Sequence, residues 1–367
     1  MMPAAAAPRV AVLDGLRGLA VAWVLVYHLH EYVPRLWPGH TAFGESGLLA
    51  QAMGFLWVGV DLFFVLSGFF IGSAVLRPRQ WQPLAFIESR LTRILPAYYV
   101  SMVLALLLLN RGLLFEAQGW VNIAMHALML HTLQEWTMFA INGPYWTLGV
   151  EFGFYLFMLA LAPVWRLRRG WALLPLMLLV CYVWRAAAVF GHPPAERFFW
   201  ATQLPGMLDE FALGIAVALV RQHGGFERLA PRATVWGTAF ALLGGLLFLA
   251  CMRHLMRLPV DYWSHWGTVL LLRTLLGLGF ALLISAFLLL ANGRTLPRLV
   301  RWSGLGWLGA ISYSVYLYHV PVILLMHRTL GPHQAPGWGW IAATVAITLA
   351  LSQASYRWVE QRWHPSL

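Results

Sequence analysis

Stretches of about 20 predominantly apolar residues recur along almost the whole 367-residue sequence, and an α-helix needs this length to cross a bilayer. Charged residues make up 11% of the chain, against about 25% in an ordinary soluble domain. The mean hydropathy of +0.68 agrees with this composition. The sequence therefore predicts an all-α polytopic membrane protein, built as a single integral-membrane domain over residues 1–367.

About ten membrane-spanning helices are predicted from the apolar stretches. A separate apolar segment, residues 120–133, is too short for a confident span and predicts an interfacial or re-entrant helix. The predicted spans are residues 10–30, 52–76, 94–110, 145–165, 171–190, 204–220, 233–252, 268–291, 304–327 and 338–361.

The distribution of arginine predicts the orientation of these helices. All 25 basic residues are arginine. With the N-terminus in the cytoplasm, 16 arginines fall in cytoplasmic segments and 6 in outer segments, which is the bias that orients membrane helices. Both termini are therefore expected in the cytoplasm. Because topology accounts for the net charge of +11, we expect no nucleic-acid partner.

The first predicted span, "LDGLRGLAVAWVLVYHLH", contains Asp14, Arg17 and His28. A charge at the centre of a bilayer costs roughly 2.5–3.5 kcal/mol on insertion scales, so these residues need a structural or functional reason. Eleven positions separate Arg17 from His28, which puts both on one helix face about 16.5 Å apart along the axis. Two readings follow: a functional face with polar groups at two depths, or polar residues that each bond to another helix.

Other ionisable residues also lie inside predicted spans. Asp61 lies near the midplane of the second span, Glu151 near the outer end of the fourth, and His319 in the outer half of the ninth. Asp209 and Glu210 lie in the sixth, and both structural and functional readings stay open for them. Such residues normally face a bundle interior and often pair. For Asp61 and Glu151, the structural alternative is an ion pair with a buried arginine: Arg17, Arg185 or Arg273.

Two arginines precede the third span in "ESRLTRILPAYY". Arg90 and Arg93 stand three residues apart, so they lie on one side of a helical turn. Guanidinium groups near a helix N-terminus form an anion site, because free N–H groups and the helix dipole add to their charge. The pattern indicates a cytoplasmic phosphate-bearing ligand; the alternative is ordinary positive-inside flanking.

Seven motifs, in order over nearly the whole chain, resemble the acyltransferase 3 family of integral-membrane acyltransferases. The resemblance implies a multi-pass protein of the bacterial inner membrane that uses cytoplasmic acyl-CoA, usually acetyl-CoA, to acylate hydroxyls of exopolysaccharide or lipid-linked glycans outside. Some members carry a fused SGNH-hydrolase-like domain; this sequence ends soon after its last predicted span, so we expect the form without it. The motifs are "LDGLRGLAVAWVLVYH", "GVDLFFVLSGFFIG", "SRLTRILPAYY", "NGPYWTLGVEFGFYLF", "LDEFALGIAVAL", "ISYSVYLYHVPV" and "SYRWVEQRW".

The family motifs fall on particular residues of this chain. The family's Arg-x10-His falls on Arg17 and His28, and its Arg-x-x-Arg on Arg90 and Arg93. The acid of its Trp-Ser-Leu-x-x-Glu block falls on Glu151. That block begins here with Trp146 and Thr147, so a threonine replaces the serine and keeps the hydroxyl.

These residues predict a direct transfer mechanism. Arg90 and Arg93 are expected to hold the CoA phosphates, and Arg17 to bind the donor or to orient a neighbouring acid. His28 is the expected general base, since an unperturbed imidazole titrates near pH 6.5. Glu151 is expected to fix its tautomer or stabilise the imidazolium. Asp61, Trp146 and His319 are candidate substrate-binding residues.

Two alternatives stay open from the sequence alone. An acyl-histidine intermediate would replace direct transfer, although no serine or cysteine lies in a nucleophile motif. A transporter or flippase would also carry intramembrane charges, although paired broken helices in two related halves are not evident. Cys181 and Cys251 have no metal-ligand spacing, and no metal is expected.

Overall fold

The computed structural model describes residues 8–37, 47–77, 81–167, 169–258, 261–330 and 337–363, and these ranges contain helices but no strands. Arg79 and Arg168, which entered the arginine count, lie outside them. The α-helices are α1 Pro8–Leu36, α2 Leu48–Met53, α3 Gly59–Val75, α4 Pro83–Leu108, α5 Ala117–Ala127, α6 Glu135–Met138, α7 Trp146–Trp165, α8 Leu173–Gly191, α9 Pro194–Ala201, α10 Leu208–Gln222, α11 Gly225–Leu229, α12 Ala233–Leu255, α13 Trp266–Leu290, α14 Thr295–Trp302, α15 Leu305–Ala310, α16 Ser312–Leu330, α17 Trp338–Ser355 and α18 Gln361–Trp363.

Within the described ranges, seven helical segments are long and apolar enough to cross a membrane; α9 and α10 together, bent by 81°, make an eighth if the pair is one broken span and not a re-entrant loop. All eight overlap the first eight predicted spans, although α4 begins at Pro83 and not at the predicted residue 94, and α9 precedes the predicted sixth span. The ninth and tenth predicted spans are helical as α16 and α17. The predicted all-α polytopic fold is confirmed. The seven segments are Val12–Leu36, Leu48–Val75, Pro83–Leu108, Gly143–Trp165, Gly170–Gly191, Gly225–Leu255 and Trp266–Leu290.

Residues 120–133 do not form a membrane-length helix. They lie in the 11-residue helix α5 and in a following 3-10 turn, His131–Leu133. An 11-residue helix rises about 16.5 Å, roughly half the thickness of the hydrocarbon core. The prediction that this segment does not cross as a full span therefore agrees with its length.

The chain forms two compact units, and the first comprises residues 1–20, 58–82 and 154–309. Two of its helices, α3 and α10, approach closely at glycines. A Cβ atom on Gly214 would lie 2.0 Å from the Val65 carbonyl oxygen, and one on Gly68 would lie 2.3 Å from the Phe211 carbonyl oxygen. Small residues permit this backbone contact where lipid supplies no hydrophobic force between helices.

The second unit comprises residues 21–57, 83–153 and 310–367. Its core joins the C-terminal part of α1 with α16 and α17, and the Trp37 and Trp340 rings meet edge to face, 5.0 Å apart. This packing places the second half of α1 beside α16. The buried members are Leu25, Leu29, Val33, Trp37, Ile323, Trp340 and Ile341.

Candidate functional site

Two histidines from distant parts of the sequence meet in the second unit. Nε2 of His319, on α16, lies 3.1 Å from Nδ1 of His28, on α1. Their ring centroids are 4.7 Å apart with an interplanar angle of 62°. His319 is fully buried, whereas His28 is half-buried. The structure therefore brings together two of the predicted site residues.

The partners of the two imidazoles assign their protons. Nδ1 of His319 lies 3.0 Å from the Val315 carbonyl oxygen, which can only accept, so this nitrogen carries the proton and Nε2 is left as an acceptor. Nδ1 of His28 faces that acceptor and also the Val24 carbonyl oxygen at 2.9 Å. Nδ1 of His28 therefore donates, and Nε2 of neutral His28 is the nitrogen with a free lone pair.

The start of α7 is tied to α16 one turn before His319. The Tyr316 hydroxyl donates to the Pro144 carbonyl oxygen at 3.0 Å and accepts from Oγ1 of Thr147 at 2.8 Å. The Tyr316 and His319 ring centroids are 5.7 Å apart. The hydroxyl at position 147, where the family has serine, thus has a structural partner beside the histidine pair.

Glu151 and Trp146 belong to the same unit, and both are half-buried. Glu151 interacts electrostatically with Tyr316, the neighbour of His319. The two groups at Nδ1 of His28 are the Val24 carbonyl and His319. The predicted contributions of Glu151 to the His28 tautomer and of Trp146 to substrate binding stay predictions.

Arg90 and Arg93 lie in the second unit and are both half-buried. They were predicted to precede the helix, but α4 begins at Pro83, so both lie two to three turns inside it and its free N–H groups do not reach them. The Arg90 guanidinium lies over the Phe86 ring, 5.7 Å from its centroid. Arg93 interacts electrostatically with Glu360, a buried acid that is hydrogen-bonded to the Ser314 hydroxyl. The two guanidinium groups share one helix turn, as predicted, and their role in donor binding stays a prediction.

Arg17 lies in the first unit, where its contacts include an acid and an aromatic ring. Its Nη1 donates to Oδ1 of Asp14 at 2.9 Å, and its guanidinium lies over the Phe70 ring, 4.2 Å from the centroid. An acid one turn away and an aromatic face are both favourable partners for a guanidinium. Helix α1 is continuous through Arg17 and His28, as the eleven-residue spacing requires.

Asp61 also lies in the first unit, where it pairs with Arg273 at 2.8 Å. Asp61 is completely buried, and Arg273 also lies 3.6 Å from Oε1 of Glu210. Of the three arginines left open as partners for Asp61, the structure thus selects Arg273. The substrate-binding role of Asp61 is a separate prediction that this pairing does not test.

A second buried ion pair lies in the same unit. Both terminal nitrogens of Arg185 donate to the Asp209 carboxylate at 2.8 Å, and the Thr274 hydroxyl donates to the same group. The bidentate geometry and the added hydroxyl satisfy groups that would otherwise be costly to bury. Asp209 therefore has a structural role, which was one of the two readings that the sequence left open.

Sequence reasoning missed a pair of stacked histidines in the second unit. The rings of His126 and His131 are parallel within 8°, with centroids 4.3 Å apart, and both side chains are fully buried. Burial lowers the pKa of His126 to about 3, with a further contribution from His131, and burial lowers that of His131 to about 4. The five-residue spacing in "HALMLH" gave no helical signal for this contact.

Sequence reasoning also gave no role to Ser101, Asn142 and Tyr145. All three are buried and hydrogen-bonded beside α16. Among the described residues, no group of three or more His, Cys, Asp or Glu side chains is arranged to hold a metal ion.

Comparison with known proteins gives one family match over most of the chain. The family profile described as an acyltransferase domain matches residues 10–357. No solved structure matches the chain.

Three curated relatives illustrate the range of similarity. The peptidoglycan O-acetyltransferase OatA of Listeria monocytogenes is 25% identical over 377 residues, which cover 95% of this chain and 54% of the relative. The O-acetyltransferase OatA of Staphylococcus aureus is 22% identical over 369 residues, covering 95% and 56%. A Komagataeibacter xylinus protein, provisionally named as a membrane-bound transacylase, is 28% identical over 378 residues, covering 95% and 81%. The chain thus spans about half the length of the first two.

Proposed function

Because this chain belongs to the acyltransferase 3 family, we propose that it is a membrane O-acyltransferase. It moves an acyl group, expected to be acetyl, from cytoplasmic acyl-CoA to a hydroxyl of an extracytoplasmic or lipid-linked glycan. The O-acetyltransferase names of the relatives support the reaction class, and the name of the Listeria monocytogenes relative supports a cell-surface glycan as acceptor. The proposed location is the bacterial inner membrane, with both termini in the cytoplasm.

His28 is proposed as the general base of the transfer. Its Nε2 accepts the proton of the acceptor hydroxyl while that oxygen attacks the thioester carbonyl carbon. When the C–S bond breaks, the same proton passes from Nε2 to the CoA sulfur, so the reaction yields an ester and free CoA without net proton uptake. The proton assignment above supports Nε2 as the reacting nitrogen.

His319 is proposed to orient His28 and to stabilise its imidazolium. Its Nε2 accepts from Nδ1 of His28 at 3.1 Å, which favours the tautomer with a basic Nε2. The same bond strengthens when His28 becomes positively charged. The arrangement parallels the acid–histidine pair of hydrolases, with a neutral imidazole in place of the carboxylate. Glu151 is proposed to act on this charge through space, by way of its position beside Tyr316.

Arg90 and Arg93 are proposed to bind the phosphates of the acyl-CoA donor. The two residues stand three positions apart on α4, so they share one turn, and both are partly exposed. Guanidinium groups match the geometry of phosphate groups. Arg17 keeps the role expected from the sequence, which is to bind the donor or to orient a neighbouring acid. The substrate-binding roles expected for Asp61 and Trp146 are also kept.

The observation that carries this proposal is the contact between His28 and His319. Imidazoles on two helices, 291 positions apart, form a directed hydrogen bond that leaves one basic nitrogen free. Nδ1 of His28 faces two acceptors, so the proton of the neutral ring stays on Nδ1 and the lone pair stays on Nε2. This arrangement suits a residue whose other nitrogen reacts.

The test is acyl transfer by the purified protein in proteoliposomes. Radiolabelled acetyl-CoA is supplied on the arginine-rich side, and the label is followed into a polysaccharide or lipid-linked glycan. Wild-type protein should transfer the label, His28→Gln should transfer it about 10²–10⁴-fold more slowly, and His223→Gln should match wild type. His223 is a matched control because its Nδ1 contacts the carbonyl oxygen four residues earlier at 2.9 Å, as in His28, but in the first unit. A transporter or flippase would move the glycan without acylating it, which would overturn the proposal.

The proposed orientation of the protein in the membrane is tested separately. Reporter fusions after residue 363 and within residues 110–116 should report cytoplasm and exterior, respectively. A C-terminal fusion that reports the exterior would place the arginine pair of α4 on the wrong side for cytoplasmic acyl-CoA.

A further inference from the structure

Helix α16 carries a proline at position 321, two residues after His319. Proline has no backbone N–H, so Pro321 cannot donate to the carbonyl oxygen of Leu317, four residues earlier. Its ring also crowds that carbonyl and favours a bend at this point. The Leu317 carbonyl is buried in the helix that positions His319, and a buried carbonyl without a donor is costly.

Two side chains from outside α16 supply donors to this carbonyl. Nδ2 of Asn142 donates to it at 3.1 Å, and Oγ of Ser101 donates at 3.3 Å. Ser101 is 1% exposed and Asn142 is 4% exposed, so water does not compete at either group. The Leu317 carbonyl thus receives two hydrogen bonds in place of the one that Pro321 cannot make.

The surrounding contacts show that these donors are held in place. The Tyr145 hydroxyl lies 2.5 Å from Oγ of Ser101; since serine has one proton and gives it to Leu317, Tyr145 donates. Within the described part of the chain, the amide oxygen of Asn142 is buried without a hydrogen-bond partner. The contribution of the Asn142 side chain is therefore its N–H group, directed at a carbonyl that can only accept.

The carbonyl that Pro321 leaves without an intrahelical donor lies close to His319 on α16. Leu317 precedes His319 by two residues, and the Nδ1 of His319 bonds back to the Val315 carbonyl across this position. A rotation of α16 at Leu317 would move Nε2 of His319 relative to Nδ1 of His28, which are 3.1 Å apart. The donors on Leu317 therefore act on the geometry of the pair without touching it.

We propose that Asn142, assisted by Ser101, is a positioning residue that clamps the proline-freed carbonyl of Leu317 and thereby sets His319 against His28. This inference rests on the proposed function of the histidine pair. It predicts that the importance of Asn142 depends on Pro321, because an alanine in place of this proline would restore the intrahelical donor.

The test is a double-mutant cycle in the full-length protein, with acyl transfer and thermal unfolding both measured. With Pro321 present, Asn142→Ala should lower kcat by about tenfold, as expected for one buried hydrogen bond, and leave the KM for acetyl-CoA unchanged. With Pro321→Ala, the same substitution should lower kcat by less than about twofold. Asn142→Leu, which keeps the approximate size but has no N–H group, should behave like Asn142→Ala, and Ser101→Ala should show a smaller loss of the same kind.

Pro163→Ala in α7 is the control, since it removes a helix proline that belongs to the first unit, whereas α16 belongs to the second, and it should not alter the effect of Asn142→Ala. If Asn142→Ala lowers kcat equally in the wild-type and Pro321→Ala backgrounds, the positioning role alone is overturned. A raised KM with unchanged kcat would also overturn it. Absence of transfer by the wild-type protein would overturn the proposed function and the positioning role together, so the two failures are distinguishable.

Discussion

The imidazoles of His28 and His319 share one hydrogen bond of 3.1 Å between Nδ1 and Nε2. Each ring is also bonded to the carbonyl of its own helix four residues earlier. These bonds make His28 the donor and His319 the acceptor, and they leave Nε2 of His28 free. In the proposed mechanism, His28 therefore accepts the substrate proton and His319 orients His28.

Substitutions at His319 should separate orientation from proton transfer. His319→Gln keeps an acceptor for Nδ1 of His28 and should lower kcat by less than about tenfold. His319→Leu removes the acceptor and should lower kcat by about 10²-fold, because the imidazolium of His28 loses a charge-assisted partner. Steady-state kinetics with acetyl-CoA measures both. Equal losses for the two variants would show that His319 does more than accept this bond.

Arg90 and Arg93 should affect the donor and not the acceptor. Charge-assisted bonds contribute roughly 1.5–3 kcal/mol each, so Arg90→Ala or Arg93→Ala should raise the KM for acetyl-CoA by about 10–100-fold. Direct CoA binding to the purified protein checks this result. Arg111→Ala is the control, since Arg111 is an exposed arginine of the same unit, at the other end of α4. Unchanged CoA affinity in the double Ala variant would make the two arginines topology determinants.

Asp61 should contribute to stability through Arg273. Asp61→Leu leaves the buried guanidinium without its 2.8 Å partner and should destabilise the protein by about 3 kcal/mol. Replacing both residues with Leu should recover only part of that loss, because the buried Glu210 carboxyl then loses the Arg273 guanidinium 3.6 Å away. Denaturant unfolding in detergent measures both effects. If folded Asp61→Asn protein shows a raised KM for the glycan, Asp61 binds substrate as well.

The stacked His126 and His131 should make the protein less stable in mild acid. Their folded pKa values, about 3 and about 4, lie below the unfolded value near 6.5. As the pH falls from about 6.5 to 4, the unfolded chain binds protons that the folded protein does not, so stability is lost; above pH 6.5 the pair has no such effect. Unfolding temperatures across this range measure the loss.

The control for this pH dependence is the double variant His126→Gln and His131→Gln. Glutamine does not titrate, and at position 131 its amide can still donate to the Tyr145 carbonyl oxygen, which Nε2 of His131 contacts at 2.9 Å. The double variant should lose less stability than wild type between pH 6.5 and 4. Identical slopes for the two proteins would mean that other groups cause the acid sensitivity.

The helices could be predicted from sequence because the lipid interior offers no hydrogen-bond partners to the backbone. A stretch of about 20 apolar residues must satisfy its N–H and C=O groups internally, so length and hydropathy suffice. The eleven-residue spacing of Arg17 and His28 likewise needs no tertiary information, since one continuous helix carries both. These features depend on local composition and on helix geometry alone.

The partners of the polar residues could not be predicted in the same way. Asp61 had three candidate arginines, and helix packing decides that the partner is Arg273. The contact between His28 and His319 joins positions 291 residues apart, which no periodicity encodes. Asn142 looks like an ordinary turn residue before an apolar span. Its role becomes visible when Pro321 is seen to leave the Leu317 carbonyl without a donor.

The most direct measurement of the central claim is a single-turnover assay of His28→Gln with bound radiolabelled acetyl-CoA. The glutamine amide can replace a structural hydrogen bond but cannot accept a proton at neutral pH. We predict an inserted and folded variant that binds CoA as wild type does and transfers acetyl about 10²–10⁴-fold more slowly, the usual contribution of general acid–base catalysis. Transfer at close to the wild-type rate would contradict the assignment of His28 as the base.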